Sequence, residues 1–253
     1  MNNKVLLEWQ LAAGVDEATD NAPTNYFAIK PAAPVIYSPD SAATAPSSTK
    51  TAPESTTPTT PLHLSPNAAH NDARKLADNC KTIAELEEIV RNFDGCALKK
   101  TATKTVFSDG NPQAQIMIIG DAPNAQEDVQ GVPFCDENGK LLDKMLMAIG
   151  LDRNSVYLTD IIFWRPPGNR QPSAEEIAIC LPLIEKHIAL VSPKLLILSG
   201  GTATNALLKK DQSIQRLRGK LYEYTNSYLN SPIKTALMYH PSYILRQPLH
   251  KNI

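Results

Sequence analysis

The chain has 253 residues, a formal net charge of −1, 42% hydrophobic and 20% charged residues, enough length and apolar content to bury a proper core. No apolar run approaches the roughly 20 residues of a membrane span, and the first segment is too short and too charged for a signal peptide. The four cysteines, Cys80, Cys96, Cys135 and Cys180, form no C-x-x-C pair, so their spacing supports neither a zinc site nor a redox motif, and a soluble, cytoplasmic, monomeric protein is expected.

In chain order, Lys4 to Glu17 has helical spacing with Leu6, Leu7, Trp9, Leu11 and Val15 on one side. Residues 1–30 are therefore expected to carry a short helical segment that docks to a partner, a repair protein being one candidate, and no catalytic role. Residues 31–70 hold 29 Pro, Ala, Ser or Thr out of 40, eight of them Pro. Such a stretch cannot offset its ordering entropy, so 31–72 is expected to be a disordered linker. The remainder, 73–253, is read as one folded domain.

There the pattern alternates. Helices are expected over Ala73–Asn79, Ile83–Phe93, Gly139–Ile149, Ser173–Val191 and Thr202–Lys209, with the fourth opening on the capping box Ser173-x-x-Glu176. Strands are expected over Ile116–Gly120, Val156–Phe163, Leu195–Leu198 and Thr235–Met238. Strands separated by helices imply a parallel sheet with right-handed crossovers, that is, a three-layer α/β/α sandwich around four parallel strands. The segments GDAP (120–123), WRPPGNR (164–170) and HPSY (240–243) each follow a strand. They should converge on the rim where ligands bind such sheets.

Charge is uneven: residues 194–253 carry nine Lys/Arg and two Asp/Glu. A basic sector beside an acid-bearing turn suits a gripped polyanion, and a plain solvated surface explains the charge equally well. Ser199-Gly200-Gly201 lies between strand and helix but lacks the Gly two residues before Ser that a nucleophile elbow needs. No phosphate-loop lysine or G-x-G-x-x-G follows it.

Three stretches together, GDAPNAQEDVQGVPF (120–134), VYLTDIIFWRPPGNR (156–170) and HPSYILR (240–246), resemble the family 4 uracil-DNA glycosylases in order and spacing. The resemblance runs from about Phe93 to Pro248 and implies hydrolysis of the N-glycosidic bond of uracil in DNA. This chain is expected to need no metal, to leave an abasic site and to lack the lysine nucleophile of a lyase. By resemblance, Asp121 would activate water and stabilise the cationic sugar, and His240 would donate to the uracil oxygen. Phe134 would stack on the flipped base, with Ala122, Glu127 and Asp160 lining its pocket. Arg165, Arg170, Ser242, Tyr243 and Arg246 would contact DNA.

The sequence also departs from that family. Family members usually hold a [4Fe–4S] cluster through four cysteines; here Cys96 and Cys180 keep two of these positions while Phe93 and Trp164 take the others. No cluster is expected, the two rings filling its volume. Asp160 stands where the family usually has the Asn that reads the base. An ionised carboxylate would repel uracil O4 and accept from a cytosine amino group, so recognition is expected to weaken or broaden to other deaminated bases unless Asp160 is protonated or Thr159 and backbone groups share the reading. Asn124 replaces a turn Gly, a position where Asn tolerates positive φ. The chain ends at Ile253, where the family continues into a closing helix, so the last strand or the His240 loop is expected to be more exposed. That ending and Asp160 motivate the alternative of a degenerate, non-catalytic DNA-binding relative. The superfamily branch that is covalently trapped on DNA carries a basic, His-containing insertion that the compact WRPPGNRQP loop lacks.

Overall fold

The computed structural model describes residues 66–247 apart from Asp211. The expected N-terminal helical segment lies outside the described residues, as does the linker up to residue 65. Helix α1 (Pro66–Asn79) begins inside the segment assigned to the linker, so that boundary moves ahead of residue 72. Ala69, Ala73 and Ala77 recur every four residues and are fully buried. Their small side chains let α1 lie close along helix α5 (Ala174–Val191), so the alanine-rich composition that reads as low complexity is here a packing face.

Helix α2 (Ile83–Asn92) starts on a reciprocal capping box between Thr82 and Glu85. Helix α5 starts on the expected one: the Glu176 N–H donates to Ser173 Oγ at 3.2 Å and the Ser173 N–H to Glu176 Oε2 at 2.7 Å. Both ends thus satisfy donors that the first helical turn leaves orphaned.

The sheet has six strands rather than four, in the order β1-β3-β2-β4-β6-β5. The four expected strands form its parallel centre: β2 (Ile116–Gly120), β3 (Val156–Asp160), β4 (Leu195–Ser199) and β6 (Ile233–Met238). Short antiparallel edges are added by β1 (Asp109–Gly110) on β3 and β5 (Leu221–Tyr224) on β6. Both edge strands are too short or too polar to announce themselves by periodicity. Strand β3 ends at Asp160, three residues before the expected end; Ile161 to Trp164 leave the ladder yet stay buried.

Alternation along the strands separates two cores. Met117, Ile119, Leu196 and Leu198 face the larger cluster, beneath α1, α2, α5 and α6 (Gly201–Leu208). Ile118 and Leu158 face the smaller one, with Leu142 and Leu146 of α4 (Glu137–Ala148). These are the three layers. Register aligns Gly120 with Asp160, Leu198 with both Ile119 and Leu237, and Ser199 with Met238. The residues just beyond these strand ends, among them Asp121, Gly200 and His240, therefore meet on one rim. Among the described residues no helix is long and apolar enough to cross a membrane.

Candidate active site

The rim encloses a cleft of about 480 Å³ whose lining includes Asp121, Ala122, Gln126, Arg170, His240 and Arg246, a size typical of small-ligand sites. Asp121 leaves β2 and meets the start of α6, where its Oδ1 accepts from the Ala203 N–H at 2.8 Å. The Gly-Gly turn that resembled an incomplete nucleophile elbow makes this contact possible. Gly200 has φ +116°, and a Cβ there would lie 2.1 Å from Asp121 Oδ2. Burial pushes the Asp121 carboxyl up to about 6, against the pull of the Ala203 and Thr202 N–H groups. A carboxyl that loses its proton close to neutrality is suited to general-base work.

The stretch after Asp121 is organised by caps. Asn124 caps helix α3 (Ala125–Gln130), accepting from Gln126 N–H at 2.8 Å and Glu127 N–H at 3.3 Å. Its φ is −98°, so the expected need for a residue tolerant of positive φ does not arise there. The left-handed non-glycine residue of the stretch is Phe134, at φ +51°, a conformation costing an aromatic side chain on the order of 1–3 kcal/mol.

A clamp holds Phe134 in that state. Its N–H donates to Glu127 Oε1 at 2.6 Å, while its carbonyl accepts from the Arg153 guanidinium, which also pairs with Asp109 and Asp143. Glu127 Oε2 accepts from the Asn124 N–H at 2.7 Å. Both oxygens of the expected base-binding carboxylate are thus engaged by backbone, which makes Glu127 a positioning residue for Phe134. Burial pushes its carboxyl up to about 7 despite those donors.

His240 caps the short helix α8 (Pro241–Arg246). Its Nδ1 lies 3.2 Å from the Ser242 N–H, a group that only donates, and 2.8 Å from Ser242 Oγ. Nδ1 must therefore accept, which places the proton of the neutral ring on Nε2. Burial, then the charge of Arg246, lowers the imidazole to about 4, so near neutral pH it is an uncharged Nε2–H donor. The ring stacks on Phe134 with centroids 5.6 Å apart at 27°. Phe134 is fully buried. A base sandwiched between the two rings would need them roughly 7 Å apart, twice a van der Waals separation, so a stacked base requires this pair to spread.

Asp160, at the end of β3, is buried, and its Oδ2 has no hydrogen-bond partner among the described residues. Thr159, weighed as a second reader of the base, is fully buried with its hydroxyl donated to the Phe107 carbonyl at 2.6 Å. Arg170 lines the cleft but is held in a fork by Glu176 at 2.9 and 2.6 Å, and Arg165 donates to Asn169 Oδ1 at 2.7 Å. Tyr243 stacks on Tyr239 at 4.9 Å, and Arg218 lies 4.7 Å over the Tyr239 ring. Ser242 and Arg246 line the cleft beside His240. Sequence reasoning passed over Arg153, Arg218 and the function of the Gly200 turn; only the turn left a visible signal, two glycines between strand and helix.

The four positions at which the family usually carries its cluster cysteines, Phe93, Cys96, Trp164 and Cys180, lie in one core. Cys96 and Cys180 are fully buried, and each thiol acts on the other's pKa, lowering that of Cys96 and raising that of Cys180. Phe93 and Trp164, in the same core, stack at 6.4 Å, with Trp164 Nε1–H donating to Thr105 Oγ1 at 3.1 Å. Two thiols and two packed rings do not make the four-thiolate donor set of a [4Fe–4S] cluster. Among the described residues no group of three or more His, Cys, Asp or Glu could hold a metal ion.

Residues 107–253 match the family model of the uracil DNA glycosylase superfamily. The chain is 38% identical over 176 residues to the Type-4 uracil-DNA glycosylase of Saccharolobus solfataricus, covering 68% of this chain and 79% of that protein. It is 35% identical over 170 residues to the Archaeoglobus fulgidus enzyme of the same name, covering 64% and 84%. With the Pyrobaculum aerophilum Type-4 uracil-DNA glycosylase the identity is 32% over 170 residues, covering 66% and 86%. With its strand-end carboxylate, histidine and aromatic ring gathered on one rim, the chain belongs to the uracil DNA glycosylase superfamily.

Proposed function

We propose that the protein is a monofunctional, cytoplasmic uracil-DNA glycosylase that acts on a base flipped out of DNA and works without an iron–sulfur cluster. The observation that carries this reading is the pairing, on one cleft, of a buried carboxyl near pH 6 with a neutral Nε2–H imidazole. Hydrolysis of an N-glycosidic bond develops positive charge on the sugar and negative charge on the departing base, and these two groups match the two charges.

In the proposed step the water oxygen bonds to C1′ and Asp121 accepts its proton. The C1′–N1 bond breaks with its electron pair on uracil, whose oxygen receives the His240 Nε2–H hydrogen bond. The base leaves as the anion and takes a proton from solvent. Among the described residues the cleft lining contains no lysine, in keeping with hydrolysis to an abasic site and no Schiff-base step. Arg246, at the mouth, and the basic sector 194–253 favour a phosphate backbone. Cys96 and Cys180 act only as packed core.

The test is base release from single- and double-stranded oligonucleotides carrying one uracil, with Asp121→Asn as control. Release that drops about 10²–10⁴-fold in the variant is expected, the usual contribution of a positioned base. DNA binding without release, unchanged in Asp121→Asn, would establish a non-catalytic relative instead.

A further inference from the structure

We propose that Asp160 works as a neutral carboxylic acid that reads the N3–H/O4 edge of uracil, its carbonyl accepting from N3–H and its hydroxyl donating to O4. This rests on the glycosylase reading and identifies the group that sets base choice.

The position follows from the strand ends. Gly120 lies opposite Asp160 in the parallel pair, and the Ile161 N–H donates to the Gly120 carbonyl at 2.9 Å. A Cβ on Gly120 would lie 2.2 Å from Asp160 Oδ1 and 2.8 Å from Phe134 Cζ. The missing side chain thus brings carboxyl and ring edge together over one backbone atom. Phe134 stacks in turn on His240, and Asp121 is the next residue along β2. A base that parts the Phe134–His240 pair therefore arrives beside the Asp160 carboxyl.

Surroundings decide its protonation. Oδ2 is buried without a partner among the described residues, and an ionised carboxylate deep in protein demands donors or a cation. The charges that act on it are carboxyls: Glu127 from α3, Asp121 beyond β2 and Asp136 before α4. Arg153 is spent on Asp109, Asp143 and the Phe134 carbonyl, and His240 is neutral. Burial first, then these three carboxyls, holds the Asp160 proton well above the usual carboxylate range.

A neutral acid presents one donor and one acceptor on a planar group, the pattern of a carboxamide. Uracil offers O4 to accept and N3–H to donate, while cytosine reverses both. With its proton on the oxygen that meets O4, a neutral Asp160 selects uracil over cytosine, and the repulsion of O4 expected of an ionised carboxylate does not arise. The same acid protonated on its other oxygen would match cytosine, so sparing of cytosine reports which oxygen carries the proton.

The experiment compares Asp160→Asn and Asp160→Leu with wild type, in base release from uracil and cytosine oligonucleotides and in melting temperature between pH 5 and 8. Wild type is expected to release uracil and spare cytosine, Leu to lose about 10²–10³-fold on uracil, and Asn to restore both activity and preference. The melting curves give a readout independent of activity. A carboxyl with a raised folded pKa destabilises the fold as pH rises above its unfolded value, by about tenfold in the folding equilibrium per unit. The melting temperature of the Asn or Leu variant should accordingly gain on wild type as the pH is raised above 5. A constant gap, cytosine release by wild type, or full activity in Asp160→Leu would overturn this inference alone. Absence of uracil release by wild type at every pH would overturn the glycosylase reading and the base-reading role with it.

Discussion

Replacing Gly200 with Ala separates the positioning of Asp121 from the stability of the fold. The new Cβ would lie 2.1 Å from Asp121 Oδ2, at a backbone φ of +116°. Ordinary contact begins near 3.5 Å, so the carboxylate must retreat by about 1 Å or more. Holding Ala at that φ costs about 1–3 kcal/mol, equivalent to about 2–12 °C in Tm for a domain of this size. The larger effect falls on rate: a displacement of about 1 Å in a catalytic group costs on the order of 10²-fold. Gly201→Ala is the control, because a Cβ there meets nothing within 4 Å and no positive φ is required. Single-turnover uracil release and thermal melts on both variants decide the matter. Gly200→Ala should lose about two orders of magnitude in rate while still folding, and Gly201→Ala should keep both rate and Tm. A folded Gly200→Ala protein with the wild-type rate would refute the cradle.

With Asp121 as the proposed base and its carboxyl at about 6, the single-turnover rate should fall about tenfold per unit below that pH and level off above it; a flat profile from pH 5 to 8 would argue against its role as base. His240, at about 4, stays neutral throughout that window and adds no limb. Glu127→Gln turns one carboxylate acceptor into an NH₂ donor facing a backbone N–H, at a cost of about 1–3 kcal/mol. Its Tm should drop by several degrees, and its rate should fall further than the Tm implies because Phe134 is released; an unchanged rate would remove the clamp argument. Protein purified without oxygen should carry no iron or acid-labile sulfide, and stoichiometric amounts of both would overturn the cluster-free reading.

The order of elements was legible from the sequence because it depends on neighbours along the chain. The Ile116–Gly120 run, the Ser173/Glu176 box and the apolar period of α5 each state their structure within a few residues. The motifs following the strands were legible for the same reason, and with them the convergence of Asp121 and His240 on one rim, whereas Asp160 reaches a strand end only because β3 stops there. Composition misled at Pro66–Asp72, since an alanine that looks like low complexity becomes a core face only when α5 lies against it.

Tertiary structure alone decided what those residues do. Asp121 acquires its character from an N–H 82 residues away and from burial under the Gly200 turn. Phe134 is held left-handed by a guanidinium 19 residues on, Glu127 spends its oxygens on backbone, and Asp160 Oδ2 finds no donor among the described residues. A titratable group's state depends on which donors and charges surround it after water is excluded, and those partners come from segments that only the folded sheet brings together.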